Sequence, residues 1–127
     1  MRSSGLVILQ TDPLRDNSSL TLSLVAALRG SFRSIRTVQS LDDLRSTVAS
    51  HRAEVAIVDV ESVSLAEVAR LTNDFSRLHI VCTHRLPDEE LWAAALSAGA
   101  ADLCHSSDIS AILTAVHRGG IQHPTAA

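Results

Sequence analysis

Glu54-Val-Ala-Ile-Val-Asp59 is a short run of branched apolar residues that ends abruptly in a carboxylate. A strand with one wet face alternates apolar and polar residues. A run that is apolar at every inner position suits a strand covered on both sides, as in a parallel sheet with helices above and below. Gly5-Leu-Val-Ile-Leu-Gln10 and Leu78-His-Ile-Val-Cys-Thr83 have the same character, and Ala101 to Cys104 is a shorter version. Ser34-Ile-Arg-Thr-Val-Gln39 alternates and carries three β-branched residues, which reads as a partly exposed second strand.

Helical spacing fills the intervals between these runs. After the first strand, Asp12 is a cap and Pro13 suits the first helical position. Leu14, Thr21, Val25 and Leu28 then share a face, and Gly30 stops the helix. Ser40 caps a second helix with Leu41, Leu44 and Val48 on its apolar face, running to about His51. Leu65, Val68, Ala69 and Leu71 mark a third, which reads as weakly capped. Pro87-Asp88-Glu89-Glu90 opens a fourth, with acids favourable at its N-terminus. Leu91, Ala95 and Ala98 form its apolar face and Gly99 ends it. Ser107 or Asp108 caps a fifth, with Ile109, Ile112, Leu113 and Val116 inward and Gly119-Gly120 as its stop.

The alternation is strand then helix, five times. Strands joined by helices pair in parallel through right-handed crossovers, so the expected product is a doubly wound α/β sandwich. Residues 1–120 read as one domain and 121–127 as a tail or the start of a linker. The 127 residues suffice for a core without disulfide or metal. Cys82 and Cys104 sit in apolar stretches and read as buried small hydrophobes, with a redox pair as the alternative. Net charge is -3, and the basic residues are scattered rather than striped, which argues against a nucleic-acid surface. No apolar run reaches the roughly 18 residues of a membrane span, and Val7 to Leu9 is too short for a signal-peptide core. The expectation is a cytoplasmic protein.

In open parallel sheets, ligands bind outside the carboxyl ends of the strands. Those ends deliver Gln10, Thr11 and Asp12 from the first strand, and Asp59 with Glu61 from the third. They deliver Thr83 and His84 from the fourth, and His105 and Ser106 from the fifth. His84 and His105 beside Asp59 would make a metal or proton-relay cluster, against which stands the ordinary solvated loop histidine. Ser106, His84 and Asp59 are the residues of a hydrolase triad, but there is no G-x-S-x-G elbow. The first βα turn has no glycine, which argues against a nucleotide. The sequence shows no catalytic set, and the protein is expected not to be an enzyme. Trp92 on the fourth helix reads as packed or half exposed, with contact to a partner as the alternative.

Four segments in order carry a resemblance: Val7-Ile-Leu-Gln-Thr-Asp-Pro-Leu14, Val55-Ala-Ile-Val-Asp59, Ile80-Val-Cys-Thr83 and Ser97-Ala-Gly-Ala-Ala-Asp-Leu103. Over about residues 5 to 119 the chain resembles a response-regulator receiver domain, and the last segment is most similar to receivers of LuxR/NarL-type transcription factors. The resemblance implies a flavodoxin-like (βα)5 fold with a parallel five-stranded sheet of order 2-1-3-4-5. It implies Asp59 as phospho-acceptor and Thr83 as the switch residue. It implies partners too: a sensor kinase, a second copy in a homodimer, and a DNA-binding module after Gly120 in a longer protein. The domain itself is expected to bind neither nucleic acid nor membrane.

The rest of the pocket departs from the family pattern. Two adjacent acids should hold Mg²⁺, a hard cation that takes oxygen ligands, and the matching positions are Gln10 and Thr11. Asp12 falls on the less essential third position, and a one-residue change of register would return it to the pocket. If any metal binds, Asp12 and Asp59 are its ligands. No cofactor is expected, and Mg²⁺ is not expected to bind tightly. The family lysine after the fifth strand reads Ser106, preceded by His105, and the aromatic switch position reads Leu103. Asp59 and Thr83 are 24 positions apart, a few fewer than in the family, as though the turn after the aspartate were shortened. Glu61 stands where the family uses a backbone carbonyl as metal ligand. Removing one preorganised charge or donor from such a transfer costs roughly 3 to 4 kcal/mol. The expectation is an atypical receiver that controls the oligomeric state of a transcription factor without conventional Mg²⁺-dependent phosphorylation. A working phospho-acceptor at Asp59 and a small-molecule sensor are the alternatives.

Overall fold

The structure, a computed structural model, describes residues 3–9 and 18–121. The expectations for Gln10, Thr11, Asp12, Pro13 and Leu14, and for the tail from 122 to 127, fall outside the described residues. The elements alternate as β1 (Ser3–Leu9), α1 (Ser18–Leu28), β2 (Phe32–Val38), α2 (Leu41–His51), β3 (Val55–Asp59), α3 (Leu65–Asp74), β4 (His79–His84), α4 (Glu89–Ser97), β5 (Asp102–His105) and α5 (Ile109–Ile121). All four strand pairings are parallel and the order is β2-β1-β3-β4-β5. This is the expected flavodoxin-like sandwich.

The apolar runs are apolar throughout because both faces of the sheet are covered. Val7, Leu9, Ala56, Val58, Ile80, Cys82 and Leu103 point to one face, where they meet Leu44 and Val48 of α2, Val68 and Leu71 of α3, and Ala95 of α4. Leu6, Ile8, Val55, Ile57, Val81 and Cys104 point to the other, against Leu24 and Leu28 of α1 and Ile112 and Val116 of α5. The two cysteines are buried, free and on opposite faces, so they cannot pair with each other. Burial pushes the Cys82 thiol up to about 12. Burial, with Asp102 and Asp108 nearby, raises Cys104 to about 11. Both thiols stay protonated and behave as small hydrophobes.

Helix starts follow the expected chemistry, with two refinements and one correction. Ser40 accepts from the Asp43 N–H at 3.1 Å and Asp88 from the Leu91 N–H at 2.7 Å. For α5 the cap is Asp108, which accepts from the Ala111 N–H at 3.1 Å. Helix α3 is capped after all: Ser64 accepts from the Glu67 N–H at 3.3 Å. The correction is that Gly119-Gly120 does not end α5, which continues to Ile121. Glycine weakens a helix by about 1 kcal/mol but stops one only where the backbone turns left-handed. Gly99 does so, at φ 104. A Cβ there would lie 2.7 Å from Thr72 Oγ1, so the turn into β5 requires glycine on two counts.

Candidate functional site

The parallel register between β3 and β4 pairs Asp59 with Thr83, and that between β4 and β5 pairs Thr83 with Cys104 and His84 with His105. The carboxyl ends of the three strands therefore lie side by side, as the topology requires. Side-chain alternation then divides them. Asp59 and Thr83 have the parity of Ile57 and Val81, on the α1/α5 side, whereas His84 and His105 have the parity of Cys82 and Leu103, on the α2/α3/α4 side. Residues that adjoin along the sheet edge thus point to different faces.

Asp59 is half-buried and engaged with its own turn. Its Oδ1 accepts the Glu61 N–H at 2.9 Å and its Oδ2 lies 3.5 Å from the Ser62 hydroxyl. Its carbonyl accepts the N–H groups of Ser62 and Val63. An aspartate that takes a backbone N–H two residues on closes an Asx turn, a compact way to leave a strand. Only residues 60 to 64 separate β3 from α3. Thr83, 7% exposed, is a buried polar side chain beside it, and its carbonyl accepts the Val60 N–H at 3.0 Å.

Glu61 carries the main electrostatic feature of this end. Its side chain is largely buried, and both carboxylate oxygens accept from Arg85 Nε, at 3.0 and 3.2 Å. His84 Nε2 approaches the same carboxylate at 4.0 Å. Arg85 joins the site without being one of the strand-end residues that the topology points to. A signal for it exists in the sequence: Glu61 and Arg85 are 24 positions apart, the same offset as Asp59 and Thr83. Two parallel strands in register carry that offset past their ends into adjoining loops.

The β5 end is wired locally. His105 is exposed, and its Nδ1 accepts the Ser107 N–H at 3.0 Å and lies 2.8 Å from the Ser107 hydroxyl. Ser106 sits where the chain leaves the sheet, its N–H donating to the His84 carbonyl at 2.9 Å. It brings no charge, and the whole chain contains no lysine, its eleven basic residues all being arginine. Leu103 is buried in the core rather than poised at the surface. Trp92, 47% exposed, donates its indole N–H to Asp102 at 3.2 Å across the α4–β5 face.

Two alternatives from the sequence find no support in this geometry. His84 Nδ1 accepts the Leu86 N–H at 2.9 Å while its Nε2 faces Glu61, so neither nitrogen is directed at Ser106 or Asp59 and no triad forms. Among the described residues, no group of three or more His, Cys, Asp or Glu side chains could hold a metal ion. No helix among them is long and apolar enough to cross a membrane.

Comparison with solved structures agrees with this architecture. The signal receiver domain of a two-component response regulator from Bacteroides fragilis superimposes with a TM-score of 0.78 at 18% identity, over 95% of this chain and 99% of that one. A LuxR-family DNA-binding response regulator from Staphylococcus aureus gives 0.72 at 13% identity, over 93% and 98%. An atypical orphan response regulator, described as regulated independently of phosphorylation, gives 0.76 at 16% identity, over 94% and 97%. No protein-family model matches the sequence, and no curated protein does. At these identities the likeness is one of fold: the chain has the fold of response-regulator receiver domains.

Proposed function

We propose that this domain is an atypical receiver: a cytoplasmic regulatory module that works through its surfaces, as a homodimer within a transcription regulator, without Mg²⁺-dependent phosphorylation of Asp59. The observation that carries this reading is the absence of any lysine in the chain, together with the Glu61–Arg85 pair. A phosphoryl group on Asp59 would add negative charge, and a receiver offsets this with a metal ion and a lysine. Here Arg85, in the loop after β4, is ion-paired with Glu61. The acceptor oxygens are taken up by the Glu61 N–H and the Ser62 hydroxyl. The pair does a second thing. It ties the loop after β3 to the loop after β4, the two segments that a phosphorylated aspartate would draw together. The resting domain therefore holds by an internal ion pair a coupling that otherwise depends on phosphate.

Titration with beryllofluoride and Mg²⁺, followed by amide NMR, tests the reading. No saturable shift of the Asp59, Thr83 and Ser106 amides is expected, while sedimentation shows a mass that rises with concentration. Tight stoichiometric binding overturns the phosphorylation-independent part, and a strict monomer at high micromolar concentration overturns the dimer. The retained register of Asp59 with Thr83 favours one second reading, a slow phospho-acceptor at Asp59. Phosphate-affinity gels of the wild type and Asp59→Asn after acetyl phosphate separate the two.

A further inference from the structure

At the opposite end of the sheet lies an open cleft of about 760 Å³. Its floor is apolar, made by Val48 from the end of α2, Phe75 past the end of α3, and Leu78 just before β4. Its rim carries Arg52, Arg77 and Glu54. The volume lies in the range of sites for small organic molecules, which join apolar walls to a few polar groups. Four residues of β3 lie between Glu54 on this cleft and Asp59, a separation of roughly 16 Å along the strand.

Two features mark the rim. Arg52 stands at φ 50 and ψ 49, and it is the only non-glycine residue at positive φ among those described. The place just past a helix favours glycine, because a side chain in the left-handed region costs roughly 1 kcal/mol or more. Arginine occupies that place here, and the residue lines the cleft. The second feature is charge. Arg45, Arg70 and Arg85 are each ion-paired, whereas Arg52 and Arg77, like Arg29, Arg33, Arg36 and Arg118, have no such partner among the described residues, and of these six Arg52 and Arg77 are the two that line the cleft. Asp74, on the same rim, is already neutralised by Arg45 at 2.7 Å. The backbone beneath is fixed: the Glu54 N–H donates to the Gly5 carbonyl and its carbonyl accepts from the His79 N–H. Strained non-glycine backbone collects at ligand sites, where the side chain it carries is worth the strain.

We infer that this cleft binds a small organic anion, a carboxylate on an apolar body. The Arg52 and Arg77 guanidiniums take the carboxylate, and Val48, Phe75 and Leu78 take the body. Guanidinium forks match a carboxylate by geometry as well as by charge. The site is independent of the strand-end crevice and of the reading of Asp59.

Amide NMR of the full 127-residue chain with 3-phenylpropionate as probe tests the inference. Saturable shifts are expected at residues 48–54 and 74–78, with weaker or no response to neutral 3-phenylpropionamide and to inorganic phosphate. Arg52→Gly should bind about tenfold more weakly or worse, the worth of one charge-assisted hydrogen bond. Its melting temperature should be equal to or above that of the wild type, since glycine relieves the left-handed backbone. Arg77→Gln, at an exposed position, should weaken binding comparably while leaving the fold intact. No saturable shift with millimolar 3-phenylpropionate overturns the site. Undiminished binding in both variants overturns the role of the arginines, and an equal response to the amide or to phosphate overturns the ligand class.

Discussion

The turn after β3 and the turn after β5 leave the same sheet edge in the same direction, and each donates one backbone N–H to β4: Val60 to Thr83, and Ser106 to His84. Their side chains behave differently. In the β3 turn, Asp59 closes the backbone and Glu61 reaches across to Arg85, beyond the end of β4. In the β5 turn, His105 is satisfied by Ser107 and Asp108 by the first turn of α5, all within a few residues. One turn is coupled to its neighbour and the other is self-contained. In a receiver that uses phosphate, a cation on the β5 side would join the acceptor across the crevice. Here that side supplies a neutral serine, and among the described residues the electrostatic link joins the loops after β3 and β4. A change at the β3 turn is expected to reach the start of α4 through Arg85 and to leave the β5 turn unmoved.

The self-contained turn depends on how β5 enters the sheet, and the largest effect is expected there. Gly99→Ala places a Cβ 2.7 Å from Thr72 Oγ1 at a φ of 104. Strain and overpacking together should cost roughly 3 kcal/mol or more, read by urea denaturation. A destabilisation below about 1 kcal/mol would show that β5 docks with slack. The next effect contrasts the two carboxylates. Asp108→Ala removes a helix cap and should cost about 1 kcal/mol, with amide shifts confined to α5. Asp59→Ala should cost a similar ~1 to 2 kcal/mol, with shifts that spread into residues 83–88. If both patterns are equally local, the proposed contrast between the turns is wrong. The smallest effect is the Glu61–Arg85 coupling. A double-mutant cycle with Glu61→Gln and Arg85→Met should give a coupling of about 0.5 kcal/mol that falls with salt, because Arg85 is 64% exposed and solvent screens it. A coupling of zero would leave the two loops joined by backbone alone.

Much of the local structure is legible in the residues themselves. Ser40, Asp88 and Asp108 cap helices because a short acceptor before an apolar periodic run satisfies N–H groups that nothing else in the chain can reach. Ser64 is legible too, since Glu67 stands three residues on in the pattern of a capping box. Gly119-Gly120 is no stop because glycine permits a left-handed turn without imposing one. Strand ends differ from the sequence pattern by one or two residues: β2 begins at Phe32, buried against the α1/α5 side, rather than at Ser34. Propensity does not register such packing.

The sequence by itself determined the layer order of this protein. Runs apolar on both faces, separated by helices, have no other way to bury themselves than a covered parallel sheet, and that sheet places Asp59, Thr83 and Ser106 at one edge. The absence of lysine was also written there. Only the tertiary structure decided which side chains at that edge meet. Alternation sends Asp59 and Thr83 to one face and His84 and His105 to the other. Register brings Glu61 to Arg85 across 24 residues, and the packing of α2 and α3 against the starts of β3 and β4 opens the cleft beside Arg52. Those contacts depend on distances between loops that are remote along the chain, and local patterns carry no term for them.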